Sequence, residues 1–110
     1  MNTIRLGLLL VGLLCYSNIT SAQINFVNTG VLQISSSTDT LFITDSLSNS
    51  SAASLVNNGN IYVQKNLTND QGNMSAGSGI LIMNGSTAQT LSGTKSFNTY
   101  SLTINNPQGV

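Results

Sequence analysis

Residues 55–64 read LVNNGNIYVQ: a short apolar segment, an Asn-Gly turn and a second apolar segment. The β-branched and aromatic residues favour extended strands, whereas Asn and Gly accept the backbone conformations of tight turns. No window of a dozen residues after residue 22 has the 3.6-residue apolar period of a helix. The sequence therefore predicts an all-β fold, with five strands of similar size and character: VLQI at 31–34, LFIT at 41–44, IYVQ at 61–64, ILIM at 80–83 and LTI at 102–104.

The spacing of these strands indicates a solenoid rather than a meander of hairpins. Leu41, Ile61, Leu81 and Leu102 recur at nearly equal intervals along the chain. Their spacing of about 20 residues is typical of solenoids, in which each coil buries its apolar face against its neighbours. We expect a right-handed parallel β-helix-like solenoid over residues 23–110, incomplete at its C-terminal end. Another all-β fold and intrinsic disorder are the alternatives.

A second, longer spacing competes with the first. Residues 26–34 match residues 55–63 in residue type at most positions, and the resulting repeat of about 29 residues also lies in the solenoid range. We interpret the Ser- and Asn-rich segment 46–54 as an insertion that could reconcile the two spacings. An ion pair distinguishes the two registers, because only the shorter one places Asp45 directly below Lys65.

The composition excludes several classes of function. Only six side chains in the chain are charged, the net charge is zero, there is no His, and Asn, Ser and Thr together occupy 43 of the positions. Without His, the chain cannot form a Ser-His-Asp triad or a Cys/His zinc site. Three basic residues are too few for a nucleic-acid-binding patch. Stacked coils suit this composition, because like charges repel along a ladder while Asn, Ser and Thr can hydrogen-bond from rung to rung.

The carboxylates are not spaced as a catalytic pair. Asp39 and Asp45 flank the predicted strand at 41–44, so about 20 Å of extended chain separates them. The paired carboxylates of glycosidases lie about 5–9.5 Å apart. Calcium-binding GGxGxD repeats are absent from the sequence. We expect no enzymatic activity, no metal and no cofactor.

Residues 1–22 have the pattern of a secretory signal peptide. Arg5 supplies the positive charge, residues 6–16 are an apolar stretch, and small residues precede a cleavage site between Ala22 and Gln23. The apolar stretch is shorter than the roughly 20 residues that cross a bilayer. We expect export through the Sec pathway, a secreted or cell-surface location, and membrane contact only through the signal peptide during export.

The aromatic residues offer few candidates for ligand contact. Phe26, Phe42 and Phe97 are expected in the core because their neighbours are apolar. Tyr62 alternates with apolar residues and is expected to face outward. Tyr62 and Tyr100 are therefore the candidate contacts with a cell-surface or extracellular polysaccharide.

The C-terminal segment resembles a repeat of a known group of proteins. NGSTAQTLSG at 84–93, Phe97, SLTINN at 101–106 and Gly109-Val110 resemble the Asn/Gly/Thr-rich strand repeats of large secreted surface proteins of Bacteroidota. The resemblance is close over the segment 84–110 and implies a parallel β-helix-like array at the cell surface. Those proteins often end in a sorting domain for type IX secretion, which does not follow here. We interpret the chain as the N-terminal piece of a longer protein or as a truncated copy.

Three hypotheses of function follow. The first is a non-enzymatic secreted or cell-surface β-solenoid segment that acts as a structural stalk or an adhesin-like surface. The second is a polysaccharide-binding module on the flat face of the coils. The third is a self-assembling fibre subunit, because low charge and repeated strands suit cross-β stacking and an open final coil leaves a strand edge unpaired. No nucleic-acid partner is expected under any of them.

Overall fold

The computed structural model describes residues 25–110, except for the side chain of residue 73, and these residues form eleven short strands and no helix. The prediction of an all-β fold is thereby confirmed. The strands are β1 (Phe26–Asn28), β2 (Val31–Ile34), β3 (Thr40–Ile43), β4 (Leu47–Asn49), β5 (Ser54–Asn57), β6 (Asn60–Val63), β7 (Leu67–Asn69), β8 (Asn73–Ser75), β9 (Ile80–Met83), β10 (Leu91–Ser92) and β11 (Ser101–Ile104).

The strands form three parallel sheets that the chain visits in turn. Sheet A has the order β1-β4-β7-β10, sheet B the order β2-β5-β8, and sheet C the order β3-β6-β9-β11. Every strand pairs in parallel with the equivalent strand of an adjacent coil. One circuit through the three sheets is one coil, and about four coils stack to form the predicted parallel β-solenoid.

The shorter of the two predicted spacings gives the correct register. Leu41 pairs with Ile61, Ile61 with Leu81, and Leu81 with Leu102. The ion pair that distinguishes the two registers is present, with Lys65 Nζ 3.3 Å from Asp45 Oδ2. The pair stabilises the fold little, because the lysine is largely exposed and such pairs are worth about 1 kcal/mol or less.

The longer spacing reflects a corner motif rather than a coil repeat. Residues 26–34 comprise β1, a corner and β2, whereas residues 55–63 comprise β5, a corner and β6. The two segments are thus separated by one full coil, from β1 to β4, and by one further strand with its corner, from β4 to β5. This additional strand and corner account for the difference between the two spacings. At both corners an Asn side chain accepts a hydrogen bond from the backbone N–H of the Gly two residues later, over 3.2 Å from Gly30 to Asn28 and 3.0 Å from Gly59 to Asn57.

The interpretation of residues 46–54 as an insertion is wrong. The segment contains β4 and the first residue of β5, so most of it belongs to a regular coil. Asn28 pairs with Asn49 and Val31 with Ser54, which leaves only two more residues at this corner in the second coil than in the first. The Ser-rich composition is therefore that of a strand and a turn, not of an additional loop.

Rows of inward-facing side chains form the core. One row in sheet C is Leu41, Ile61, Leu81 and Leu102, and its central members are fully buried because coils cover them on both sides. Leu102 is exposed because β11 is the last strand of sheet C among the described residues. The buried apolar cluster comprises Ile34, Ile43, Leu47, Leu55, Ile61, Val63, Leu67, Leu81 and Met83.

The expected positions of the phenylalanines are only partly correct. Phe97 packs against the core, as expected. Phe26 is the register partner of Leu47 but is partly exposed in the first coil. The prediction for Phe42 is wrong: its side chain is 51% exposed and faces outward, because the alternation in β3 places Leu41 and Ile43 inside.

A row of asparagines runs through the interior of sheet A. Asn28, Asn49 and Asn69 are register partners in three successive coils, and all three are buried. Asn28 Nδ2 donates to Asn49 Oδ1 over 3.2 Å. Outside the core, the hydroxyls of Thr68 and Ser92 form a bond of 3.1 Å between the third and fourth coils. These contacts confirm the expected hydrogen bonding from rung to rung.

Candidate functional site

An aromatic pair lies on the outer face of sheet C. Phe42 and Tyr62 are register partners in adjacent coils, and their ring centroids are 5.6 Å apart with the planes tilted by 34°. Tyr62 faces outward as predicted and is half-buried beneath its neighbours. The next residue in this outer row is Ile82, so the apolar strip continues into a third coil, but Ile82 itself is buried at 7% exposure.

Tyr100 does not belong to this strip. It lies immediately before β11 in the fourth coil, two coils away from β6, and its side chain is 71% exposed. Two coils correspond to roughly 10 Å between strands. The structure therefore separates the two tyrosines that the sequence suggested as ligand contacts and gives Tyr62 a different aromatic partner, Phe42.

A groove lies beside β8, and we call it the β8 groove. It exists because sheet B has no strand in the fourth coil, so residues 93–100 pass β8 without forming a ladder. Asn98 holds this segment to β8 by donating from Nδ2 to the Met74 carbonyl over 3.0 Å. The groove has a volume of about 370 Å³ and is lined by Gln71, Gly72, Met74, Lys95, Ser96, Phe97 and Asn98.

The β8 groove combines an unused amide, a cation and an apolar wall. Gln71 is 1% exposed, and neither atom of its side-chain amide has a hydrogen-bond partner among the described residues. Lys95 is exposed and forms no ion pair within residues 25–110. Met74 and Phe97 are half-buried and pack against the core. No local pattern in the sequence indicates this groove.

Gln89 is the opposite case, a buried glutamine whose amide is fully hydrogen-bonded. It is 3% exposed; Nε2 donates to the carbonyls of Val63, over 2.9 Å, and of Lys65. Oε1 accepts from the backbone N–H of Gly85 over 2.9 Å and from Asn106 Nδ2 over 2.8 Å. This network joins the second, third and fourth coils. The network also connects Asn84-Gly85, Ala88-Gln89 and Asn105-Asn106, which belong to the C-terminal segment that resembles surface-protein repeats. This sequence pattern is the signal from which Gln89 could have been identified.

The three aspartates lie at three different corners, and each accepts hydrogen bonds locally. Asp39 accepts from the Ser36 backbone over 3.0 Å. Asp45 lies at the far end of β3 from Asp39 and binds Lys65, and Asp70 accepts from the backbone and hydroxyl of a threonine in the fourth coil. Residues 25–110 contain no group of three or more His, Cys, Asp or Glu side chains that could hold a metal ion.

Comparisons with protein-family models, with curated proteins and with solved structures find no match for this chain. No helix within residues 25–110 has the length and apolar character needed to cross a membrane. The predicted signal peptide, with its cleavage site between Ala22 and Gln23, lies outside the described residues. The function is therefore argued from the solenoid and its two surface features, the aromatic pair and the β8 groove.

Proposed function

We propose that this chain is a non-enzymatic, exported β-solenoid segment that serves as a structural stalk or an adhesin-like surface. The observation that carries the proposal is the stack of coils, in which each strand is hydrogen-bonded to the equivalent strand of an adjacent coil and the central strands are paired on both sides. A stack of this kind lengthens by about 4.8 Å with each coil and keeps the same cross-section, which suits a spacer. The signal-peptide pattern and the resemblance of residues 84–110 to secreted surface repeats support the location.

Export is tested by the mass of the mature chain. Expressed with its leader in a bacterial host, the chain should be recovered outside the cytoplasm with Gln23 as its first residue. Replacing Leu9 by arginine interrupts the apolar stretch and should leave the full-length chain in the cytoplasm. The exported chain should give a β-type circular dichroism spectrum. Recovery of uncleaved chain in the cytoplasm, for the sequence with Leu9 intact, would contradict the proposal.

A second candidate function is polysaccharide binding, and the exposed pair of Phe42 and Tyr62 favours it. Aromatic rings give large, flat apolar contacts, and the tyrosine adds a hydroxyl that can hydrogen-bond to a ligand. The strands of sheet C contain no charged side chain, so a neutral sugar chain could lie across their outer face without opposing charge. Tyr100 lies two coils away from Tyr62 and is not part of this aromatic pair.

The aromatic pair gives a direct prediction for glycan binding. Affinity electrophoresis first identifies a glycan in the gel that slows the migration of the chain. Replacing Tyr62 by alanine should weaken binding to that glycan by about tenfold, which corresponds to about 1.4 kcal/mol. Replacing Phe42 by alanine should have a similar effect, because the two rings form one surface. The matched control is Tyr100→Ala, which removes an exposed tyrosine elsewhere and should leave the affinity unchanged. Affinity electrophoresis measures all three variants, and a loss confined to Tyr100→Ala would contradict this placement.

A further inference from the structure

We propose that the β8 groove binds an acidic sugar, a ring that carries a carboxylate and hydroxyl groups, as in a uronic-acid-containing polysaccharide. The proposal rests on the polysaccharide-binding function suggested above, but it places the ligand on a different surface and specifies its charge. Three properties of the groove carry it: the unpaired amide of Gln71, the charge of Lys95, and the apolar wall of Phe97 and Met74.

The amide of Gln71 points to a ligand with hydroxyl groups. Buried polar atoms almost always have a hydrogen-bond partner, and an unpaired one costs about 1–3 kcal/mol. Gln71 leaves both its donor and its acceptor unpaired while it borders the groove. Gln89, equally buried, uses every hydrogen-bonding position. Once the Gln71 side chain turns toward the groove, neighbouring sugar hydroxyls can accept from Nε2 and donate to Oε1 at the same time, because a hydroxyl does both.

The charge of Lys95 points to a carboxylate. Lys65 is held by Asp45, whereas Lys95 has no ion pair among the described residues. The lining of the groove contains no acidic residue, so its only formal charge is positive. Asp70, which precedes Gln71 in the chain, is already engaged by the backbone and hydroxyl of Thr94, at 2.9 Å in each case. A carboxylate on the ligand would form a charge-assisted hydrogen bond with the free ammonium group.

The apolar wall and the size of the groove suit a sugar ring. Phe97 and Met74 are anchored in the core and only half-buried, so part of each side chain is available to the apolar face of a ring. The volume of about 370 Å³ lies within the usual range of about 300–1,000 Å³ for small-molecule sites. Ser96 and Asn98 add hydrogen-bonding groups on the side of the fourth coil.

The test compares an acidic with a neutral trisaccharide by calorimetric titration of the purified chain. A galacturonic acid trimer should bind at least about tenfold more tightly than a galactose trimer, and added salt should weaken its binding. Lys95→Gln should lower the affinity for the acidic trimer by about tenfold. The matched control is Lys65→Gln, which removes the same charge at another corner and should change the affinity less than about twofold.

A second variant keeps the test independent of charge. Gln71→Met preserves the size of the side chain and removes an amide that has no partner within residues 25–110, so the chain should fold normally and bind the acidic trimer less tightly. Equal affinities for the two trimers, or equal losses from Lys65→Gln and Lys95→Gln, would overturn the groove assignment. If binding instead depends on Tyr62, polysaccharide binding stands and the groove assignment fails. If neither trimer binds, the groove assignment fails, and glycan binding at the aromatic pair is decided separately by the affinity electrophoresis described above.

Discussion

Replacing Gln89 by methionine is expected to lower the free energy of unfolding by about 3 kcal/mol or more. The substitution keeps the length of the side chain but removes the four hydrogen bonds that it makes with Val63, Lys65, Gly85 and Asn106. The former partners remain inside the corner, where each unpaired group costs about 1–3 kcal/mol. Since small domains are stable by only about 5–15 kcal/mol, the loss should be plain in a urea denaturation curve followed by circular dichroism.

Gln71→Met is the matched control for this experiment. Both glutamines are buried, but the side-chain amide of Gln71 has no hydrogen bond to lose in the described part of the chain. We expect the Gln71→Met chain to be at least as stable as the unaltered one, because the substitution removes two unpaired polar atoms from a buried position. Equal destabilisation by the two substitutions would mean that the hydrogen bonds of Gln89 do not hold the coils together.

Replacing Gly93 by alanine is expected to have an effect of similar size, about 3 kcal/mol. Gly93 has a φ of +127°, which residues with a side chain rarely adopt, and a Cβ at this position would clash with the backbone of Asn69 in the neighbouring coil. Either the turn after β10 or the spacing between the third and fourth coils must then change. Thermal unfolding of the purified variant measures the loss.

Gly30→Ala is the control for the effect of glycine itself. Gly30 also lies at a corner, but a Cβ there would have no atom within 4 Å, and its φ is not positive. The substitution should leave the stability within about 0.5 kcal/mol or raise it slightly, because alanine restricts the unfolded chain. If Gly93→Ala were as well tolerated as Gly30→Ala, that result would contradict the close contact between Gly93 and the backbone of Asn69 in the neighbouring coil.

Sheet C could be predicted from the sequence, whereas sheets A and B largely could not. The strands of sheet C each carry two inward apolar residues, so they are recognisable as apolar segments that recur at a regular spacing. The first three strands of sheet A have one inward apolar residue and, two residues later, a buried Asn, as in Leu47-Ser48-Asn49. Asn normally indicates a turn, and its role as an interior ladder residue depends on the coil above. The signal that was missed is the recurrence of such triplets at 26, 47 and 67.

The surface features were partly predictable for the same reason. The outward position of Tyr62 follows from alternation within a strand, and the same rule applied to Leu41 and Ile43 would have placed Phe42 outside. The β8 groove depends on the absence of a sheet B strand in the fourth coil, which no local pattern indicates. The difference between Gln71 and Gln89 likewise arises from contacts with other coils and cannot be read from either residue's neighbours in the sequence.

The central claim, that equivalent strands stack in a specific register, is tested most directly by disulfide trapping. Gln33 and Val56 are register partners that alternate with inward residues in β2 and β5, so their side chains face outward on adjacent strands. Neighbouring strands are about 4.8 Å apart, within the Cα separation of about 4.4–6.8 Å that a disulfide needs. A chain carrying Gln33→Cys and Val56→Cys, with Cys15 replaced by serine, should form an intramolecular disulfide on mild oxidation.

The longer register supplies the control, because it pairs Gln33 with Tyr62 instead. In the solenoid these two residues lie on different sheets, so a chain with Gln33→Cys and Tyr62→Cys should remain reduced as a monomer. Mass spectrometry of the two oxidised monomers decides between the registers. A disulfide in the chain with Val56→Cys alone agrees with the stacked coils described above, and a disulfide in the chain with Tyr62→Cys alone would contradict them.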